Sequence, residues 1–186
     1  MGLALPVTPV QILWINMVTV IALGLTLAFE PTEPGAMRRP PRSSNEPLLS
    51  GFLMWRVIFV SALFVIGAFG MFFWALERGL DLAEARTIVV NTIVVMEIFY
   101  LFSIRYLHMT SLTLRGLLGT PAVLIGVAII VVAQLVFTYA PFMQVLFDTR
   151  AIAVSDGIAV IAIGIGLLAV LELEKLIRRG LGIRDQ

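Results

Sequence analysis

Five apolar stretches, each close to the length that crosses a lipid bilayer, govern what this chain can fold into. They run roughly over residues 9–29, 52–76, 87–104, 121–140 and 154–173, and about 20 apolar residues in helical rise cross the hydrocarbon core. No water is available there to satisfy backbone N–H and C=O groups, and an α-helix satisfies them with its own hydrogen bonds. The expected fold is therefore all-α, a polytopic membrane helical bundle of five transmembrane helices in a single domain over residues 1–186. Composition agrees: 60% hydrophobic and 13% charged residues are far too apolar for a soluble globule of 186 residues.

Punctuation between the stretches sets their limits. The first opens at Pro9 and ends at Glu30-Pro31, and the second follows Ser50-Gly51. The fourth opens at Thr120-Pro121, a cap-type residue with proline at the first helical position, and the fifth follows Ser155-Asp156 or begins slightly earlier. The segment 30–50, rich in proline and small polar residues, reads as an extended connector with no periodicity to build a domain. An odd number of spans places the two termini on opposite sides. With the C-terminus cytoplasmic, ten of the 13 basic residues lie inside: Arg38, Arg39, Arg42, Arg56, Arg105, Arg115, Lys175, Arg178, Arg179 and Arg184. Only Arg78, Arg86 and Arg150 lie outside, so the positive-inside rule predicts an outer N-terminus and a connector 30–50 on the cytoplasmic side. Trp14, Trp55, Trp74, Tyr106 and Tyr139 sit at positions suited to interfacial anchoring.

Several functions are excluded. A formal net charge of +1 without a basic run gives no nucleic-acid footprint, and zero cysteines rule out disulfides and thiolate metal sites. The chain contains no phosphate-cradling G-x-x-x-x-G-K-[ST] loop, H-E-x-x-H pair or nucleophile elbow, so no catalytic or cofactor-binding residue is assigned. An N-terminus that opens at the mouth of a helix, LPVTPVQ, reads as part of a longer chain.

The polar groups inside the stretches are the candidates for chemistry. Glu97 is a lone carboxylate in the apolar run 88–104. Burying such a group in the membrane costs about 2.5–3.5 kcal/mol on insertion scales, so it normally faces a partner, a water-filled cavity or an ion. It reads as a cation ligand or proton acceptor; the alternative is a structural acid held by Asn91, Tyr100 or a neighbouring helix. Asn16 and Thr19 lie three apart and share a helix face, offering two hard oxygen ligands or, alternatively, an interhelical hydrogen bond. Gln134 is expected to bond another helix, and His108 to sit at headgroup level, with no second histidine for a metal. Ala162, Gly164 and Gly166 supply small residues for close helix approach. The Arg178-Arg179 pair beside Lys175 could meet anionic headgroups or a cytoplasmic domain, although orientation alone accounts for it.

The Q-x-L-W-x-N-x-x-T run at residues 11–19 and the F-E-P-x-E-P-x-x-M-x-R-P-P-R run at 29–42 together resemble the sixth membrane helix and following loop of P-type cation-transporting ATPases of the calcium-pump and sodium-pump class. RTIVVNTIVVMEIFYLFSIR looks like the eighth helix, QLVFTYAPFMQVLFDT the ninth with its outer loop, and LLAVLELEKLIRR the end of the tenth. The resemblance implies the C-terminal five of ten membrane helices. It further implies a cell-membrane parent that uses ATP and Mg²⁺ in cytoplasmic domains this sequence lacks, so that this chain alone neither hydrolyses ATP nor pumps. Its partners would be the lipid bilayer, the N-terminal helices and cytoplasmic domains of the parent, and the transported cation. Asn16 and Thr19 match the family's sixth-helix ligands, and Glu97 its eighth-helix glutamate. The family pattern has an aspartate directly after the matched threonine, and Val20 stands there instead. That removes a charge and one or two oxygen ligands, which points away from the usual calcium site and toward a monovalent cation, a single-ion site or protons. A self-standing five-span channel or carrier, or a structural membrane module, are the rival readings.

Overall fold

The computed structural model describes residues 4–19, 24, 28, 51–105 and 121–180, and among them all regular structure is helical. The helices are α1 (Pro9–Val18), α2 (Gly51–Glu77), α3 (Leu82–Arg105), α4 (Pro121–Tyr139), α5 (Pro141–Phe147) and α6 (Val154–Gly180). Four of them, α2, α3, α4 and α6, are long and apolar enough to cross a membrane, while α1 is apolar and ten residues long over its described part. The chain is a multi-pass helical membrane bundle. The connector 30–50, Val20, Tyr106, His108, Arg115 and Arg184 lie outside the described residues.

Local chemistry sets the helix limits, and some differ from those expected. Thr8 caps α1 in a reciprocal box with Gln11: the Gln11 N–H donates to Thr8 Oγ1 (3.4 Å) and the Thr8 N–H to Gln11 Oε1 (3.0 Å). Gln11 is thus a capping residue. Its Nε2 also donates to the Phe147 carbonyl at the end of α5 (3.0 Å). The third span begins at Leu82 rather than at 87, because Asp81 Oδ1 accepts from the Glu84 N–H (2.7 Å) and adds a capped turn ahead of the apolar run. Gly79, with φ +79°, closes α2: its own N–H donates to the Leu76 carbonyl and that of Leu80 to the Ala75 carbonyl, a Schellman end that needs the left-handed conformation. The fourth stretch ends at Tyr139 and gives way to the short α5, since the residue before Pro141 is forced into extended backbone.

The α3 helix is the centre of the bundle, with 56% of its span buried against 22–33% for the other three long helices. Lipid tails are as apolar as the side chains, so these helices associate through close packing and hydrogen bonds rather than by the hydrophobic effect. Glycine permits the closest contacts. A Cβ on Gly67 of α2 would stand 2.8 Å from Met96 Sδ, and one on Gly164 of α6 would stand 2.5 Å from Phe99 Cδ2. Gly166 has nothing near it and is exposed, as is Ala162, so of the small residues expected to serve close approach only Gly164 does so.

Polar bonds tie the ends. On α4, Gln134 Oε1 accepts from Trp14 Nε1 (3.1 Å), the interhelical bond expected of it. Trp14 is consequently buried and stacked on Phe137, not an interfacial anchor, whereas Trp55 and Tyr139 are exposed as anchors would be. Asn91 Nδ2 donates to Thr138 Oγ1 (3.0 Å), which leaves it engaged with α4 and not with Glu97. Buried Asp156 pairs with Arg78, whose guanidinium lies over the Trp74 ring. At the opposite end Lys175, buried rather than facing headgroups, donates to Glu172 (2.7 Å) and to the Ser103 carbonyl (2.8 Å). Buried Arg56 and partly buried Arg178 both reach Glu174 (3.5 Å each). Trp14→Phe should keep the ring stack but leave Gln134 Oε1 buried without its donor. It is expected to destabilise by about 1–3 kcal/mol, read as a lower melting temperature of the detergent-purified parent protein, and no shift would refute a structural role for this bond.

Candidate cation site

Glu97 lies on the central helix α3, half-buried, with one face of its turn toward α1. Thr19, the residue after α1 and itself in a wider, π-type turn, stands 2.8 Å from it between Oγ1 and Glu97 Oε2. Such widened turns often occur at functional sites, because they turn side chains and carbonyls out of the regular ladder. Thr19 Oγ1 is also 2.7 Å from the Ile15 carbonyl.

A hydroxyl has one proton and two lone pairs. With Glu97 ionised, Thr19 can donate to the carboxylate. With Glu97 protonated, the carboxyl can donate to Oγ1 while Thr19 donates to the Ile15 carbonyl. The pair therefore accepts either protonation state without leaving a donor stranded, and in the ionised state it offers carboxylate, hydroxyl and carbonyl oxygens to a cation.

The pair opens into a cleft of about 740 Å³ between α1, α2 and α3, with Ser61, Phe64 and Tyr100 among its walls. Tyr100, one turn along from Glu97, packs edge-on against Phe64 (ring centroids 6.3 Å apart) and makes no hydrogen bond to Glu97 among the described residues. Ser61 is a wall residue that the sequence reading passed over. Its signal was present, a lone hydroxyl in the middle of the second stretch, where the one charged side chain is Arg56 near its start.

The structure thus joins two of the three expected site residues. Thr19 and Glu97 touch. Asn16 is exposed on α1, its carbonyl accepting from the Thr19 N–H, and it is not part of the Thr19–Glu97 contact. No group of three or more carboxylate or imidazole side chains capable of holding a metal occurs among the described residues. One carboxylate with a few neutral oxygens makes at most part of a cation shell, since calcium takes six to eight oxygens and even magnesium about six.

Comparison with known proteins places the sequence in a family. The family described as "Cation transporting ATPase, C-terminus" matches residues 4–177. The chain is 44% identical over 178 residues to the probable cation-transporting ATPase F of Mycobacterium tuberculosis, covering 96% of this chain and 20% of that protein. It is 37% identical over 154 residues to the cation-transporting ATPase pma1 of a Synechocystis species, covering 80% of this chain and 17% of the relative. Against a calcium-transporting ATPase of Bacillus subtilis it is 30% identical over 162 residues, covering 87% and 18% respectively. The chain spans about a fifth of the length of these relatives. With the family matched over nearly its whole length and a multi-pass helical bundle to go with it, the chain belongs to the cation-transporting ATPases, as the C-terminal membrane domain of a P-type ATPase.

Proposed function

We propose that this domain supplies part of the transported-cation site of an ATP-driven pump, with Glu97 as the charged ligand, Thr19 as its hydroxyl partner and Asn16 as a further oxygen donor on the same helix. The observation that carries the reading is the 2.8 Å contact between Thr19 and Glu97, made between two helices at the rim of a cleft inside an apolar bundle. A half-buried carboxylate in such a place needs a positive charge or a proton, and the cleft gives either one room to arrive. The remaining oxygens would come from helices of the parent that precede this chain. ATP and Mg²⁺ would act on the parent's cytoplasmic region, and no residue of this chain is assigned to them.

The orientation that fits this role puts the end bearing Gly51, Arg105 and Gly180 on the cytoplasmic side, where the basic residues concentrate. ATP hydrolysis would then alter access to Glu97 through movements of the bundle. Val20 in place of an acidic neighbour favours a cation of low charge or a single-ion site.

The test is ATP hydrolysis by the full-length pump, purified and titrated separately with Ca²⁺, Mn²⁺, Na⁺ and K⁺ and over a pH series. One of these ions, or protons, should stimulate hydrolysis. Asn16→Ala should raise the half-stimulating concentration about fivefold to tenfold, the loss of one neutral ligand costing about 1–1.5 kcal/mol. Hydrolysis indifferent to all of these ions and to pH would end the proposal, and parent-like stimulation in Asn16→Ala would remove Asn16 from the site.

A further inference from the structure

We infer that Gly164, on the far side of α3 from the cation site, is a positioning residue that sets where Glu97 stands. The inference rests on the reading of Glu97 as a cation ligand and adds to it the element that fixes its place.

Successive residues of an α-helix turn by about 100°, so Val95 and Phe99 stand about 160° from Glu97, on the opposite side of α3. Gly164 meets that side. A Cβ built on it would lie 2.7 Å from Val95 Cγ1 and 2.5 Å from Phe99 Cδ2. Both are roughly 1 Å short of ordinary carbon–carbon contact. The glycine therefore lets α3 sit back against α6 by a distance that no other residue allows.

Something must move when a methyl group is added there, and the fold says what. Phe99 and Val95 both line a cavity of about 380 Å³ between α3, α4 and α6, and the Phe99 ring can turn into it. Val95 is β-branched and held to essentially one rotamer in a helix, so it yields only if the helix yields. Helix α6 cannot easily retreat, because it is fastened on both sides of Gly164. Asp156, eight residues before it, pairs with Arg78 in the turn after α2, and Lys175, 11 residues after it, donates to the Ser103 carbonyl of α3. In front of α3 lies the open cleft of about 740 Å³. The path of least resistance carries α3 forward and takes Glu97 out of register with Thr19.

The experiment uses the full-length pump and whichever of Ca²⁺, Mn²⁺, Na⁺, K⁺ or protons stimulates it. Gly164→Ala should raise the half-stimulating concentration about tenfold while the maximal rate stays within about twofold, since a 1 Å misplacement of a binding group can cost up to 10²-fold. Adding Val95→Ala to that variant should restore most of the affinity by returning the space behind α3. Gly166→Ala, with nothing within 4 Å of its Cβ, should behave as the parent. An unchanged half-stimulating concentration in Gly164→Ala, or a loss of maximal rate that Val95→Ala does not repair, would overturn the inference. If Gly164→Ala does not assemble, Val95→Ala alone decides: slackening the back wall should shift the half-stimulating concentration by more than about twofold, and no shift refutes the idea. Glu97→Gln run in parallel separates the two levels. A shift in Glu97→Gln without one in Gly164→Ala defeats positioning alone, and a shift in neither defeats the cation-site reading with it.

Discussion

Glu97→Gln in the full-length pump should lower apparent cation affinity about 100-fold. The substitution is close to isosteric, and Gln Oε1 can still accept from Thr19, so the 2.8 Å contact that joins α1 to α3 survives. What disappears is the negative charge. In contact with a cation a carboxylate gains several kcal/mol even at an effective dielectric near 20, and the cost of stripping water from both ions takes back a large share. A net loss of about 3 kcal/mol corresponds to about two decades of affinity. Glu97→Asp, which keeps the charge but withdraws it by one methylene, should fall between the two. The contrast is decisive because the bland role predicts the reverse order. If Glu97 only glues helices together, Gln is the harmless replacement and Asp the damaging one. Cation-stimulated hydrolysis measured on the three proteins at matched expression distinguishes these orders, and parent-like cation dependence in Glu97→Gln would remove the carboxylate from the transport site.

How far the chain could be read without its structure follows from which interactions are local. The four long spans were visible because hydropathy is a property of each segment by itself, and their ends were misplaced where a cap, not apolarity, decides them. Asp81 lengthens the third span and Pro141 divides the end of the fourth from a short helix. Glu97 stood out by its cost in an apolar run, and Thr19 by its place in a motif. Spacing put Asn16 on the face of Thr19 but could not say which neighbouring helix that face would meet, and in the structure only Thr19 reaches Glu97. Trp14 was misread for a related reason: tryptophans near helix ends usually mark the interface, and only the fold brings Gln134, 120 residues away, to its indole N–H. Gly164 illustrates the same limit. A glycine in a membrane helix signals close approach, and the partner that approaches is a fact of the folded state.

The second large effect is expected from Lys175→Met, at a place the sequence presented as a basic tail beside the membrane. Lys175 and Glu172 are buried, 5% and 4% exposed, three residues apart on α6 with 2.7 Å between Nζ and Oε1. The ammonium also donates to the Ser103 carbonyl of α3 (2.8 Å). Lys175 thereby ties α6 to α3 through a charge-assisted hydrogen bond. Removing one member of a buried pair costs about 3–5 kcal/mol, mostly because the other charge stays behind. Lys175→Met should therefore lower the melting temperature of the purified pump sharply and cut its yield. The double variant Lys175→Met with Glu172→Leu should recover the larger part of that loss, since no uncompensated charge of the pair then stays buried. Strictly additive losses in the double variant would show that the two side chains do not act as a pair. A parent-like melting temperature in Lys175→Met would show that the tie between α6 and α3 at this end contributes nothing, and with it would go one of the two fastenings that hold α6 in place behind the helix that carries Glu97.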